Sequence, residues 1–218
     1  MQIRTQTVGI GAGGHAKVLL DILLEQGQYS VIGLLDFDPG MWGNSLFGGS
    51  ILGGDAELDT LIADKNITAF FLGVGAVKSL KHRRKLYEDA ISKGLVPINI
   101  IHPSAQISSR ALLGSGVSVM AGAIINASSR IGENVIINTG AIVEHDCLIG
   151  SHVHIATGAR LAGNVEVGDE SMIGAGSVIR QGIKIGNRAV IGAGAVVVKN
   201  VTDDCLVVGN PARVLIGK

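Results

Sequence analysis

The sequence predicts two parts of different fold class, an α/β unit in the first hundred residues and an all-β, triangular parallel β-helix in the second hundred. The first half alternates short apolar runs with amphipathic segments, which is typical of a β-α-β-α-β unit. The second half repeats an aliphatic residue every six positions, which is typical of a β-helix. The composition agrees with a core of small and β-branched side chains, because 32 of the 218 residues are glycine and only 3% are aromatic.

The α/β part is predicted to have a Rossmann-like order of strands and helices. The predicted elements are a strand over Thr7–Ile10, a helix over His15–Glu25 ending near Gly27, a strand over Tyr29–Asp36, a loose stretch over Phe37–Gly54, a helix over Asp55–Asp64, a strand over Ala69–Gly75 and a helix over Ser79–Lys93. The unit covers about 95 residues, half the size of a full dinucleotide-binding domain.

The turn after the first predicted strand is rich in glycine. In "VGIGAGGHAK", Gly9, Gly11 and Gly14 have the G-x-G-x-x-G spacing of a dinucleotide fingerprint, and Asp36 ends the second strand where an acid would bind a ribose. The spacing alone therefore fits a nicotinamide cofactor. Exposed amides before a helix suit any phosphate, however, and no second half of a dinucleotide domain follows. The turn therefore fits a phosphate-bearing ligand that need not be a nicotinamide cofactor.

The second half repeats with a strict period of six. Stepping by six from Ile101 reaches seventeen positions, all Ile, Leu or Val: Ile101, Ile107, Leu113, Val119, Ile125, Ile131, Ile137, Val143, Ile149, Ile155, Leu161, Val167, Ile173, Ile179, Ile185, Ile191 and Val197. A glycine recurs every eighteen residues, at Gly114, Gly132, Gly150, Gly168 and Gly186. Three hexapeptides therefore make one coil, with the aliphatic residue on the axis and glycine or asparagine at the corners.

Charge and hydropathy exclude several classes of partner. The 18 basic and 18 acidic residues give a formal net charge of zero, so no basic surface for nucleic acid or an anionic membrane is expected. No stretch approaches the ~18 apolar residues of a membrane span. Cys147 and Cys205 have neither metal nor redox spacing, so a reducing cytoplasm is the expected location.

Several motifs together resemble one family. The turn "GAGGH", then "IHPSA", a hexapeptide helix with "INTGAIVEHDCLIG" and "AGNVEVG", and the tail "VGNPARV" are similar to the sugar acyltransferases of the sialic acid O-acetyltransferase and bacillosamine N-acetyltransferase type. The resemblance spans nearly the whole chain and implies a left-handed β-helix, a homotrimer and acetyl-CoA as co-substrate. It also implies transfer of acetyl to the 4-amino group of a nucleotide-linked 4-amino-4,6-dideoxy sugar, for surface polysaccharide or glycan synthesis. O-acetylation of sialic acid is the alternative within the same chemistry.

The resemblance gives each part of the chain a role. Residues 1–98 are expected to bind the nucleotide sugar, residues 99–202 to bind acetyl-CoA and carry the catalytic residues, and residues 203–218 to form a C-terminal tail. The substrate-binding residues that match the family in the first part are Gly13, Gly14, His15, Asp36, Phe37 and Gly75. A cap at the helix N-terminus is the other interpretation of His15.

His145 is the predicted general base, because an amine must lose a proton as it attacks a thioester. It lies in "VEHDC", two residues after Val143, and is expected near a corner, facing outward. By resemblance Asp146 hydrogen-bonds the ring and raises its basicity. A histidine that only faces solvent is the alternative. Glu144 is expected to be a solvated corner residue, and Cys147 a packing residue of the core.

His154 stands nine residues from His145, half of an eighteen-residue coil. The two are therefore expected on different faces, and they can meet only across a subunit boundary, which fits active sites between subunits of a trimer. The resemblance assigns His154, Ala175 and Ala193 to acetyl-CoA. Asn138 is expected either to bond the acceptor amine or to belong to an asparagine ladder at a corner.

Other residues are given no catalytic role. His152 is expected to be a surface histidine, and Lys199 and Arg213 ordinary solvated cations, although either could reach the phosphates of CoA.

Two other classes of function are weighed against a transferase. A β-helical zinc protein like a carbonic anhydrase needs three imidazoles on one metal ion, and His145, His152 and His154 suffice in number. Their spacing of seven and two differs from that family's, and its extra catalytic loop is missing from the uninterrupted repeat, so no metal is expected. A binding scaffold without catalysis is the other class.

Overall fold

A computed structural model of the chain describes residues 4–65, 67–75 and 80–216. The chain forms two compact units, residues 1–100 and 101–218. Among the described residues no helix has the length and apolar character that crossing a membrane requires.

Among the residues that the structure describes, the first unit combines a six-stranded sheet with three α-helices. Its elements are β1 (Thr5–Ile10), α1 (Gly14–Gln26), β2 (Tyr29–Leu35), β3 (Ser45–Leu46), β4 (Gly49–Gly53), α2 (Leu58–Lys65), β5 (Ala69–Leu72), α3 (Lys81–Ser92) and β6 (Val96–Pro97). The strands are ordered β3-β4-β2-β1-β5-β6. β3 runs antiparallel to β4, and the other neighbouring pairs are parallel.

The predicted Rossmann-like order is confirmed, with differences at its margins. The stretch predicted to be loose contains β3 and β4. These strands were not predicted, because they have only two and five residues, include glycines and show no clear alternation of apolar and polar residues. The helix predicted over Asp55–Asp64 begins as a 3-10 turn, and α2 starts at Leu58. β6 was not predicted. The predicted start of the third helix, Ser79, lies outside the described residues.

Burial explains why this segment pattern forms a sheet covered by helices. β5 is buried along its whole length, as expected for a central parallel strand. α1 buries Ala16, Leu19, Leu20, Ile22 and Leu23, which lie three or four residues apart and form one stripe. The helix ends at Gly27, whose φ of 62° is the left-handed conformation that glycine adopts without strain. Each fully buried aliphatic side chain contributes about 1.5–3 kcal/mol.

The second unit is a left-handed parallel β-helix with three faces. Face A contains strands Ile100–Ile101, Ser118–Val119, Ile136–Ile137, His154–Ile155, Met172–Ile173, Val190–Ile191 and Leu206–Val208, to which Arg213–Ile216 adds antiparallel. Face B contains Gln106–Ile107, Ile124–Ile125, Ile142–Val143, Arg160–Leu161, Val178–Ile179 and Val196–Val197. Face C contains Leu112–Leu113, Arg130–Ile131, Leu148–Ile149, Glu166–Val167 and Lys184–Ile185.

The predicted coil of eighteen residues is confirmed by the strand register. Ile137 pairs with Ile155, Val143 with Leu161, and Ile149 with Val167. The predicted axial residues from Val119 to Val197 are all buried, whereas those of the first coil are partly buried. The residue three positions after each axial residue has a positive φ, from Gly116 to Gly194. Seven of these fourteen are not glycine, and Asp146 and His152 are among them.

Candidate active site

His145 and Asp146 occupy a corner between face B and face C, after strand Ile142–Val143 and before Leu148–Ile149. The imidazole Nδ1 lies 2.7 Å from Oδ2 of Asp146. Because a carboxylate only accepts hydrogen bonds, Nδ1 carries the proton and the lone pair of the neutral ring is on Nε2. The two side chains are 54% and 58% exposed, so the corner is open to a ligand.

Gly163 forms the surface against which the His145 ring lies. A Cβ on Gly163 would stand 2.5 Å from Cε1 and 2.6 Å from Nε2 of His145, closer than side-chain atoms approach one another. Only glycine therefore leaves room for the ring in this position. Gly163 was not predicted as a site residue, although it lies one eighteen-residue coil beyond His145 in the segment "AGNVEVG".

The residues beside His145 have the environments expected from the repeat. Cys147 is fully buried, and its thiol donates to the carbonyl of Ala162 at 3.3 Å. Burial raises the pKa of the Cys147 thiol, so it is a poor nucleophile. Glu144 is partly buried and accepts a hydrogen bond from Asn126 Nδ2 at 2.9 Å. It therefore differs from the solvated corner residue that was predicted.

His154 lies on face A, away from the His145 corner, in the short strand His154–Ile155. Its Nε2 is 3.3 Å from Nδ2 of Asn138, so the structure places Asn138 beside His154. No asparagine ladder forms there, because the residues one coil before and after Asn138 are Met120 and Ala156.

Ala175 and Ala193 are exposed residues of consecutive coils at the corner between face A and face B. Within the described part of the chain, their amide N–H groups have no protein acceptor. Exposed, unpaired amides along an edge suit the carbonyl groups of an extended ligand such as the pantetheine arm of CoA. The residues therefore fit the co-substrate that the resemblance implies.

The prediction for His152 is wrong, because its side chain is buried. It is 7% exposed, and its Nδ1 lies 2.9 Å from Nδ2 of Asn134. It occupies the corner between face C and face A, whereas His145 lies between face B and face C. In residues 4–65, 67–75 and 80–216, no three His, Cys, Asp or Glu side chains are grouped so that they could hold a metal ion.

In the first unit, the glycines of the turn after β1 divide into two kinds. Gly9 and Gly11 are required by packing, because a Cβ on Gly9 would overlap Leu34 and one on Gly11 would lie 2.5 Å from Val74. Gly13 and Gly14 are exposed, and a Cβ on either would meet no atom within 4 Å. Packing therefore does not explain this second pair, and they leave open space at the N-terminus of α1.

Asp36 fixes the shape of this turn. Its Oδ2 accepts from the amide of Ala12 at 2.7 Å and its Oδ1 from the amide of Asp38 at 3.0 Å. The indole of Trp42 donates to the Asp36 carbonyl at 2.8 Å, a contact that the sequence analysis missed. The predicted ribose contact of Asp36 can use only the lone pairs that remain.

His15 lies half-buried in the first turn of α1. The helix cap is Gly13, which has no capping side chain, so the interpretation of His15 as the cap is wrong. Gly75 lies beside it, and a Cβ added to Gly75 would be 3.5 Å from the Cβ of His15. Phe37 follows β2 and is 81% exposed.

These residues share one edge of the sheet. Gly13 and Gly14 follow β1, Asp36 and Phe37 follow β2, and Gly75 follows β5, and these three strands are neighbours. The carboxyl edge of a parallel sheet is where α/β units bind ligands.

Comparisons with known families match both units. The profile described as "PglD N-terminal domain" matches residues 8–90. The profile described as "Bacterial transferase hexapeptide (six repeats)" matches residues 128–163 and 164–199. A comparison with curated protein sequences gave no match.

Similar solved structures cover nearly the whole chain. A histidine-to-asparagine mutant of perosamine N-acetyltransferase from Caulobacter crescentus, in complex with CoA and GDP-perosamine, is 38% identical, with 97% of each chain covered and a TM-score of 0.91. The acetyltransferase domain of PglB from Neisseria gonorrhoeae FA1090, in complex with acetyl coenzyme A, is 37% identical, with 97% of this chain and 100% of that chain covered and a TM-score of 0.88. WeeI from Acinetobacter baumannii AYE is 29% identical, with the same coverage and a TM-score of 0.85.

Proposed function

The chain belongs to the hexapeptide-repeat sugar N-acetyltransferases with a PglD-type N-terminal domain, and on that basis we propose that it transfers acetyl from acetyl-CoA to the 4-amino group of a nucleotide-linked 4-amino-4,6-dideoxy sugar. The observation that carries the proposal is the His145–Asp146 pair on an exposed corner of the β-helix. The relative from Caulobacter crescentus binds CoA and GDP-perosamine, which supports both substrates.

In this proposal His145 is the general base. Its Nε2 accepts the proton that the amine loses while the new C–N bond forms and the C–S bond of the thioester breaks. The same proton then passes from the imidazolium to the departing sulfur, so the ring ends the cycle neutral. Asp146 holds the proton on Nδ1 throughout and stabilises the cationic ring.

The glycine turn of the first unit holds the nucleotide part of the sugar. The amides of Gly13 and Gly14 at the N-terminus of α1 bind phosphate, as expected for a helix N-terminus that faces open space. His15 and Gly75 lie on one side of this space. Phe37 offers an exposed aromatic face at the end of β2.

The acetyl donor binds at a part of the β-helix that is different from the corner that carries His145. His154 and the amides of Ala175 and Ala193 contact acetyl-CoA on face A and at its corner with face B, and Asn138, beside His154, bonds the acceptor amine. Because His145 lies between face B and face C, a complete site needs the donor-binding residues of a neighbouring chain. The proposed assembly is therefore a homotrimer with active sites between subunits. The cytoplasmic location stays a prediction.

An assay of CoA release tests the proposed function. Purified protein and acetyl-CoA are incubated with UDP- and GDP-linked 4-amino-4,6-dideoxy sugars, and with free sialic acid as a hydroxyl acceptor. We expect acetylation of at least one nucleotide-linked amino sugar, and a fall of about 10²–10⁴-fold in the His145→Asn variant. The control variant His102→Asn, which changes another histidine of the β-helix, is expected to retain activity.

Two results would contradict the proposal. Activity on sialic acid alone would identify an O-acetyltransferase. An absence of CoA release with every acceptor would favour a binding scaffold.

A further inference from the structure

The first unit contains a buried arginine that the proposed mechanism does not use. Arg83 on α3 is 1% exposed. Its Nη1 donates to the carbonyl of Leu72 at 3.2 Å and to that of Val74 at 2.5 Å. Arg83 therefore bonds the backbone at the carboxyl end of β5.

The positive charge of Arg83 has no acidic partner among the residues that the structure describes. Its Nε has no hydrogen-bond partner there either. Burial lowers the pKa of Arg83 to about 9, which reflects the cost of keeping an uncompensated charge away from water. A buried cation of this kind is stabilised by any anion that binds nearby.

The backbone that Arg83 bonds is part of the glycine turn's surroundings. Gly73 packs so closely against the turn that a Cβ on it would overlap the carbonyl oxygen of Gly11. Val74 contacts the position where Gly11 would carry a Cβ, and Gly75 lies beside His15. A displacement of residues 73–75 would therefore move the turn and His15 as well.

We propose that Arg83 is a positioning residue of the nucleotide-sugar site, which fixes residues 73–75 beside the glycine turn and whose buried charge favours an anionic diphosphate bound there. The proposal rests on the proposed function, because it takes the first unit to be the nucleotide-sugar site. Arg83 itself touches no substrate in this account, since its side chain is enclosed by the protein.

Calorimetric binding of GDP and UDP to the intact protein tests the proposal. We compare wild type with Arg83→Met, which removes the charge and the donors, and with Arg83→Lys, which keeps the charge but not the planar fork. Arg84→Met is the matched control, because Arg84 is the next residue of α3, is 45% exposed and pairs with Glu88.

We expect Arg83→Met to weaken the better-bound nucleotide about tenfold or more, Arg83→Lys to lie between it and wild type, and Arg84→Met to bind as wild type does. The KM for the nucleotide sugar should rise in Arg83→Met while the KM for acetyl-CoA stays unchanged, a split that general loss of structure would not produce. If Arg83→Met does not fold, Arg83→Lys carries the test, with about a threefold loss expected.

The outcomes separate this inference from the proposed function. If wild type binds a nucleotide and the Arg83 variants bind it equally well, the inference is overturned and the proposed function stands. If wild type binds neither GDP nor UDP, the inference is overturned, and the assay of CoA release decides the proposed function separately.

Discussion

A histidine acts as a general base only when its ring is held in one tautomer and one orientation. Asp146 determines the tautomer by accepting from Nδ1 of His145. Gly163 determines the orientation, because the ring lies where a side chain at that position would stand. The base therefore depends on a neighbour in sequence and on a residue one coil away.

The Gly163→Ala variant tests this positioning. The added methyl group would overlap Cε1 and Nε2, so the imidazole must turn away from its place. We expect kcat to fall about 10–100-fold, because small displacements of a reacting group are costly, while the melting temperature changes little. Steady-state kinetics and thermal unfolding measure the two effects.

Gln181→Ala is the control for this variant. Gln181 occupies the next coil of the same corner and is exposed. The Gln181→Ala substitution should leave kcat unchanged. An unchanged kcat in Gly163→Ala would show that the position of the ring against Gly163 is not needed for catalysis.

The residues of the site differ in how far the sequence predicts them. The His145–Asp146 contact joins neighbours in sequence, and the family resemblance of the motif "VEHDC" implied it. The role of Asp36 toward the backbone could not be predicted, because it depends on the amide of Ala12, which lies 24 residues away in the turn after β1. Arg83 reads as one of a run of basic residues in "KHRRK", and only the packing of α3 shows that it is buried.

At the scale of elements, one corner of the β-helix shows why a glycine recurs every eighteen residues. The amides of Ser151, Asp169 and Asn187 each donate to the side chain one coil further on, at 2.7, 2.9 and 3.0 Å. The glycine before each donor has no room for a Cβ, because the next coil lies against it. The period was visible in the sequence, but its cause was not, since the ladder joins residues of different coils.

The last step of this ladder predicts a pH dependence of stability. Hydrogen bonds from the Asn187 side chain and amide lower the pKa of Asp203 from its usual value of 3.8. A carboxylate whose pKa is lowered by folding contributes stability above its unfolded pKa, and this contribution is lost as the pH falls through its folded pKa. Wild type should therefore lose more stability than Asp203→Asn as the pH falls from 6 to about 3.

Thermal unfolding of the two proteins across this pH range measures the effect. The difference in melting temperature should shrink toward acid pH. Melting curves that stay parallel for wild type and Asp203→Asn would mean that the ionised carboxylate does not stabilise the last coil.

At the scale of the whole molecule, one chain carries the two halves of the proposed catalytic site on different sides of the β-helix. His145 lies at the corner between face B and face C, which is opposite face A in a triangular coil. His154 begins a strand of face A. The sequence predicted this separation from the spacing of nine residues. Which chains meet could not follow from it, because the period describes one chain only.

Activity of a mixed assembly tests whether His145 of one chain acts beside His154 of another. His145→Ala and His154→Ala chains are each produced alone and are also coexpressed in equal amounts, and acetyl transfer is measured at low acetyl-CoA. We expect each variant alone to be nearly inactive and the mixture to recover about one quarter of wild-type activity. In a random assembly, about one site in four combines an intact His145 from one chain with an intact His154 from its neighbour. A mixture as inactive as the two variants, or substantial activity of His145→Ala alone, would contradict a site in which His145 of one chain acts beside His154 of another.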